Sequence, residues 1–187
     1  MSKIQYTSLQ PNETILKTVR TWDISKGKTI KNDSTAGALM VLTNHGRIGV
    51  TNLIHGRFDN ETKNTVLNTA SHDGYNIEIL IETGVAAAGE LLYDEWEIQL
   101  EGYRVHRSPA INSKPDRATP LKNGIIDTNF FIDLNDSKQI KEVNKEFSAF
   151  PDGVHDDIVD SIAYGYIFLH NFNKKQSERR SGYGFLS

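Results

Sequence analysis

The chain has 187 residues, 37% of them apolar and 24% charged, which fits one globular domain able to bury a core without disulfides or structural metal. It has no cysteine, which excludes disulfides, thiolate zinc sites and cysteine nucleophiles. The net charge of −3 argues mildly against a nucleic-acid binder, unless the acids gather around bound cations and so change the local sign.

No apolar run approaches the ~20 residues of a membrane span. The polar N-terminus lacks the apolar stretch of a signal peptide, so a soluble, intracellular protein is expected. Polar residues 1–15 lead into a first strand at 18–24, rich in β-branched and aromatic side chains. Two more strands are predicted at 36–43 and 48–54, joined by a tight turn at His45-Gly46. Residues 60–71 have helical composition, with Asp59 or Asn60 as N-cap. An alternating strand follows at 75–82, then a helix at 84–99 and a short strand at 103–107. The basic segment 112–124 carries two prolines and reads mostly as loop, and 125–132 as a strand or extended segment. An amphipathic helix is predicted at 137–150, a turn at Pro151-Asp152-Gly153, and a final helix at 156–172. Residues 173–187 read as a polar, flexible tail after a domain spanning 1–172. A hairpin opening followed by β-α-β alternation implies an α/β fold with a mixed sheet and helices on its faces.

Three places carry carboxylates where a rigid scaffold could present them. Asp23 sits between Trp22 and Ile24 in the first strand, either as a metal-facing acid or as an outward-pointing strand residue. Glu82 stands where a strand hands over to a helix, a position for ligand binding or for favouring a helix dipole. Asp156, Asp157 and Asp160 crowd the head of the last helix. A cap and a dipole account for the first two but explain Asp160 poorly, and neighbours at such spacing repel unless a cation holds them. Hard divalent cations take such oxygen ligands, and paired ions support phosphodiester hydrolysis without a protein nucleophile.

Four segments resemble the nuclease domain of the bacteriophage large terminase subunit, an RNase H-like fold: RTWDIS, ILIETGVAAAG, SKPDRATPL and FPDGVHDDIVDSIAYGY. The resemblance spans residues 18–170. It implies an RNase H-like mixed β-sheet with helices on both faces and a metal-dependent endonuclease acting on double-stranded DNA. Asp23, Glu82 and Asp157 are implied as catalytic. Asp23, Glu82, Asp156, Asp157 and Asp160 are the implied ligand pool for two Mg²⁺ or Mn²⁺ ions, with the choice within the last trio open. Lys26, Lys28, Lys114 and Arg117 are the expected phosphate-contacting cations. Many members carry an aspartate directly after the second acid, where this chain has Thr83. No G-x-x-x-x-G-K-[ST] phosphate loop occurs. The chain therefore resembles the nuclease part of a larger packaging machine in the infected bacterial cytoplasm. Its ATPase would lie elsewhere, with the portal or small terminase subunit as further partners. Within the same fold class, junction resolvases and RNA–DNA hybrid nucleases are the rivals. A non-catalytic cation-stabilised binding module is the rival of another class.

Overall fold

The computed structural model describes residues 4–24, 34–83, 87–108, 114–153 and 155–182. Its strands are β1 (Gln5–Tyr6), β2 (Ile15–Asp23), β3 (Thr35–Thr43), β4 (Ile48–Gly56), β5 (Glu78–Ile81), β6 (Val105–Arg107) and β7 (Phe130–Ile132). Its helices are α1 (Thr62–Asp73), α2 (Ala87–Gln99), α3 (Lys114–Ile126), α4 (Ser137–Ala149) and α5 (Asp157–Gly182). The strands form one sheet in the order β1-β7-β4-β3-β2-β5-β6. Only β3 pairs antiparallel with its neighbours among the described strands, so β2, β4 and β5 all end at the same edge.

Strand alternation sorts the side chains into two cores. One face packs Val19, Leu53 and Leu80 beneath Leu121 and Ile125 of α3, Val143 and Phe147 of α4, and Ile158, Ile162 and Leu169 of α5. The other packs Trp22, Ile79 and Ile81 beneath Val66 and Ala70 of α1 and Trp96 and Leu100 around the end of α2. Helices thus cover both faces. On the first face α5 lies close to the sheet. Ser161 Oγ is 3.0 Å from Thr21 Oγ1 on β2. A Cβ added at Gly165 would stand 2.7 Å from Thr21 Cγ2 and closer still to Met40 Sδ. The absent side chain at Gly165 lets α5 lie close above β2 and β3.

Several boundaries differ from the sequence reading. The 112–124 segment, expected mostly as loop with a turn or two of helix, is the helix α3 from Lys114 onward. Pro115 falls in the first turn, where a missing N–H is tolerated. Pro120 lies inside and removes one hydrogen bond, yet burial of Leu121 and Ile125 outweighs that loss. Residues 173–182, expected in a flexible tail, continue α5, as the good helix formers Lys174, Lys175, Gln176 and Arg179 permit. Asp59 does not cap α1; it occupies a 3-10 turn with φ 44°, and α1 starts at Thr62 without a side-chain cap. The two-residue strand β1 is too short to leave a periodic signal. By contrast α4 starts where predicted, with Asp136 Oδ1 accepting from Lys138 N at 2.7 Å.

Candidate metal centre

The parallel register pairs Trp22 of β2 with Ile81 of β5. Glu82 N extends that pairing by donating to Trp22 O at 2.9 Å. Asp23 and Glu82 are therefore neighbours in the next rung, where adjacent strands stand about 4.8 Å apart. Alternation places both on the α5 side, since Thr21 and Leu80, two residues earlier, face that helix. Asp160 lies three residues into α5, one residue before Ser161. Carboxylate oxygens of Asp23, Glu82 and Asp160 all fall within 4.8 Å of one another.

Asp23 is partly exposed at the sheet edge. Burial pushes its carboxyl well above the usual carboxylate range, and the nearby charges of Glu82, Asp157 and Asp160 push it further. Among the described residues, one buried guanidinium answers this negative charge. Arg117 of α3 lies 3.2 Å from Glu82 Oε1 and 3.3 Å from Asp160 Oδ2, and Nη1 donates to Tyr164 Oη at 2.6 Å. Tyr164 in turn donates to Glu82 Oε1 at 3.1 Å. Burial works against the Arg117 charge, but Asp160, Tyr164 and Glu82 outweigh it and hold the guanidinium more firmly protonated. Burial, then Glu82, raise the Tyr164 hydroxyl, so it remains a donor.

Arg117, expected among the phosphate-contacting cations, lies within the acidic centre. Arg117 is 7% exposed and points at Glu82 and Asp160, a placement that lets it orient those acids. Lys114 begins α3, but its side chain lies outside the described residues, as do Lys26 and Lys28 altogether. Asp157 is not in the Asp23–Glu82–Asp160 group; its oxygen groups instead with His55 and Glu146. Asp156 falls in neither group, and precedes α5, its carbonyl accepting from Asp160 N at 2.8 Å. Thr83 is buried and accepts from Arg107 Nε at 2.9 Å, so its hydroxyl serves that contact.

His55, Glu146, Arg117 as an internal cation, and Tyr164 were not singled out in these roles by the sequence. Glu146 had left a signal: it occupies the apolar face of α4 between Val143 and Phe147. Its Oε2 accepts from Ile158 N at 2.9 Å and Val159 N at 3.4 Å, capping the start of α5. Burial raises the Glu146 carboxyl, against the opposing pull of those backbone bonds.

The donor set of the first group fits a hard divalent cation: three carboxylates from three rigid elements, converging at the carboxyl ends of parallel strands. No protein-family model matches the chain, and no curated protein matches it in sequence. Solved structures do match. The large terminase nuclease from the thermophilic phage G20c, crystallised with bound zinc, aligns with a TM-score of 0.58 at 16% identity, covering 87% of this chain and 91% of that one. The chain has the RNase H-like fold of that terminase nuclease. The same nuclease crystallised with bound magnesium aligns with a TM-score of 0.57 at 16% identity, covering 87% of this chain and 90% of that one. The fowlpox virus Holliday junction resolvase aligns with a TM-score of 0.50 at 11% identity, covering 83% of this chain and 99% of the resolvase. No helix among the described residues is long and apolar enough to cross a membrane.

Proposed function

We propose that this chain is a divalent-metal-dependent endonuclease that hydrolyses phosphodiester bonds in double-stranded DNA, as the nuclease part of a viral packaging terminase. The observation that carries the reading is the convergence of Asp23, Glu82 and Asp160 at the carboxyl edge of this fold. Asp23, Glu82 and Asp160 would hold Mg²⁺ or Mn²⁺, with Asp157 adding negative charge beside Asp23. Divalent ions supply activation of the attacking water and offset of charge on the leaving oxygen. The chain's own residues set the geometry for that chemistry. One shared rung of the adjacent strands β2 and β5 fixes two ligands, the close seat of α5 fixes the third, and Arg117 with Tyr164 holds Glu82 and Asp160 in place. Among the described residues one internal guanidinium, Arg117, meets these acids, and the remaining excess of carboxylates favours recruitment of cations.

In this reading the partners are double-stranded DNA, an ATPase carried elsewhere, and the portal or small terminase subunit, in the cytoplasm of an infected bacterium. A resolvase activity is the second reading, supported by the likeness to the fowlpox enzyme, which has also been crystallised with substrate Holliday junction DNA. A substrate panel separates them. Supercoiled plasmid, a four-way junction and an RNA–DNA hybrid are each incubated with Mn²⁺ or Mg²⁺. Cutting of plasmid without preference for the junction is expected. Selective junction cleavage moves the assignment to a resolvase, and no cleavage of any substrate overturns the nuclease reading.

A further inference from the structure

Asp23 pairs in register with Ala36 of β3, and Ala36 pairs with His55 of β4. The rung that carries Glu82 and Asp23 therefore runs on to His55, two strand spacings or about 9.6 Å beyond Asp23. His55 faces the α4 and α5 side, as Leu53 does two residues earlier. Ligand atoms of His55, Glu146 and Asp157 all lie within 4.8 Å of one another.

The hydrogen bonds of His55 and Glu146 leave a gap of specific chemistry. His55 Nδ1 is 3.2 Å from Glu142 Oε2. A carboxylate on one imidazole nitrogen is the outer contact that orients metal-binding histidines and fixes their tautomer. The other nitrogen, Nε2, is buried and has no hydrogen-bond partner among the described residues. It faces Glu146 Oε1 at 3.8 Å, beyond hydrogen-bond reach. Two coordination bonds of ~2.1 Å meeting at an open angle span roughly that separation. Glu146 uses Oε2 on the backbone of α5, which leaves Oε1 turned to the imidazole. Glu146 and Asp157 are only 6% and 9% exposed, so two buried carboxylates converge on the one imidazole.

We propose that His55, Glu146 and Asp157 form a second cation site, separate from the Asp23–Glu82–Asp160 centre and selective for Mn²⁺, Zn²⁺ or Co²⁺ over Mg²⁺. The imidazole sets the selectivity, since nitrogen ligands suit transition metals and Mg²⁺ prefers oxygen and water. An ion there ties β4 and α4 to the first residue of α5, and so fixes the turn that delivers Asp160. The existence of the site is independent of the nuclease reading; its positioning role rests on that reading.

The test is pulsed electron paramagnetic resonance of Mn²⁺ bound to the full chain carrying Asp23→Asn, Glu82→Gln and Asp160→Asn, which removes the oxygen-only centre. One equivalent of Mn²⁺ is expected to remain, with modulation from a directly coordinated nitrogen, and His55→Gln abolishes both. Absence of nitrogen modulation overturns the proposal, as does modulation that survives His55→Gln and so arises from another histidine such as His155. If circular dichroism shows that the triple variant does not fold, the same nitrogen signal is compared between the unmodified chain and His55→Gln, with the same two outcomes. Plasmid cleavage is read separately, so a failed nuclease assay with an intact nitrogen signal sinks the functional reading and leaves the site standing.

Discussion

Arg20 and Asp23 lie three residues apart on β2, on opposite faces of the sheet, and their surroundings could hardly differ more. Arg20 is 2% exposed, yet its charge is fully answered. Nε and Nη2 donate to Asp73 at 2.7 and 3.0 Å, and Nη1 donates to Asn52 Oδ1 at 3.0 Å. Asp23, on the other face, meets Glu82, Asp157 and Asp160. Glu78 repeats the lesson on the same face as Glu82: Lys17, Arg104 and His106 all reach it, and although burial opposes them they hold its carboxyl below the ordinary range. A charge matched by its opposite is part of the scaffold. A charge gathered with its own sign is unfinished until something cationic arrives, and that contrast separates framework from site in this molecule.

The comparison breaks most sharply at Asp23. Asp23→Asn is expected to lower Mn²⁺-dependent plasmid cleavage by about 10³-fold or more, the several kcal/mol that a Lewis-acid ion supplies, while the fold survives. Cleavage at the unmodified rate by this variant removes Asp23 from the site. Arg20→Met should act in the opposite sense. It strands Asp73 and is expected to cost about 3–5 kcal/mol in urea unfolding, because one member of a buried pair is left alone.

Arg117→Gln sharpens the contrast from inside the centre. Cleavage should fall about 10- to 100-fold, as for other groups that orient metal ligands. The slope of DNA affinity against salt should stay unchanged, whereas loss of a phosphate contact lowers it by about 1. A reduced slope returns Arg117 to the DNA surface.

A pH prediction follows from the raised Asp23 carboxyl. Its proton is held more tightly in the folded chain than in the unfolded one. Without metal, this group's contribution to stability is full below the unfolded pKa and is lost as pH rises through the folded one. Asp23→Asn should therefore flatten the decline in melting temperature of metal-free protein above about pH 4. A variant that declines as steeply as the unmodified chain contradicts the crowding of acids around Asp23. The smallest effect is expected at Tyr164→Phe, where hydrogen bonds to Glu82 and Arg117 are lost at about 1 kcal/mol of stability.

Much of the frame was legible in the chain because periodicity reports burial directly. The β3–β4 hairpin around His45-Gly46 and the amphipathic α4 were readable, the latter with Val143 and Phe147 on its buried face. Asp23, Glu82 and the trio Asp156, Asp157 and Asp160 are readable as candidate acids. What the sequence could not show was which acid meets which. Asp157 and Asp160 are three apart and share a helix face, yet Asp160 groups with β2 and β5 residues while Asp157 groups with β4 and α4 residues. That division depends on strand order, since β3 separates β2 from β4, and strand order is a non-local property. The inward setting of Arg117 is hidden in the sequence for a related reason. A basic residue in a proline-containing stretch suggests surface loop, and only the packing of α3 against α5 turns it inward.

Cation binding at the head of α5 is tested most directly by anomalous diffraction from a crystal soaked in Mn²⁺. A peak is expected within coordination distance of Asp23, Glu82 and Asp160. A fully soaked crystal with no anomalous peak at those three carboxylates would contradict it.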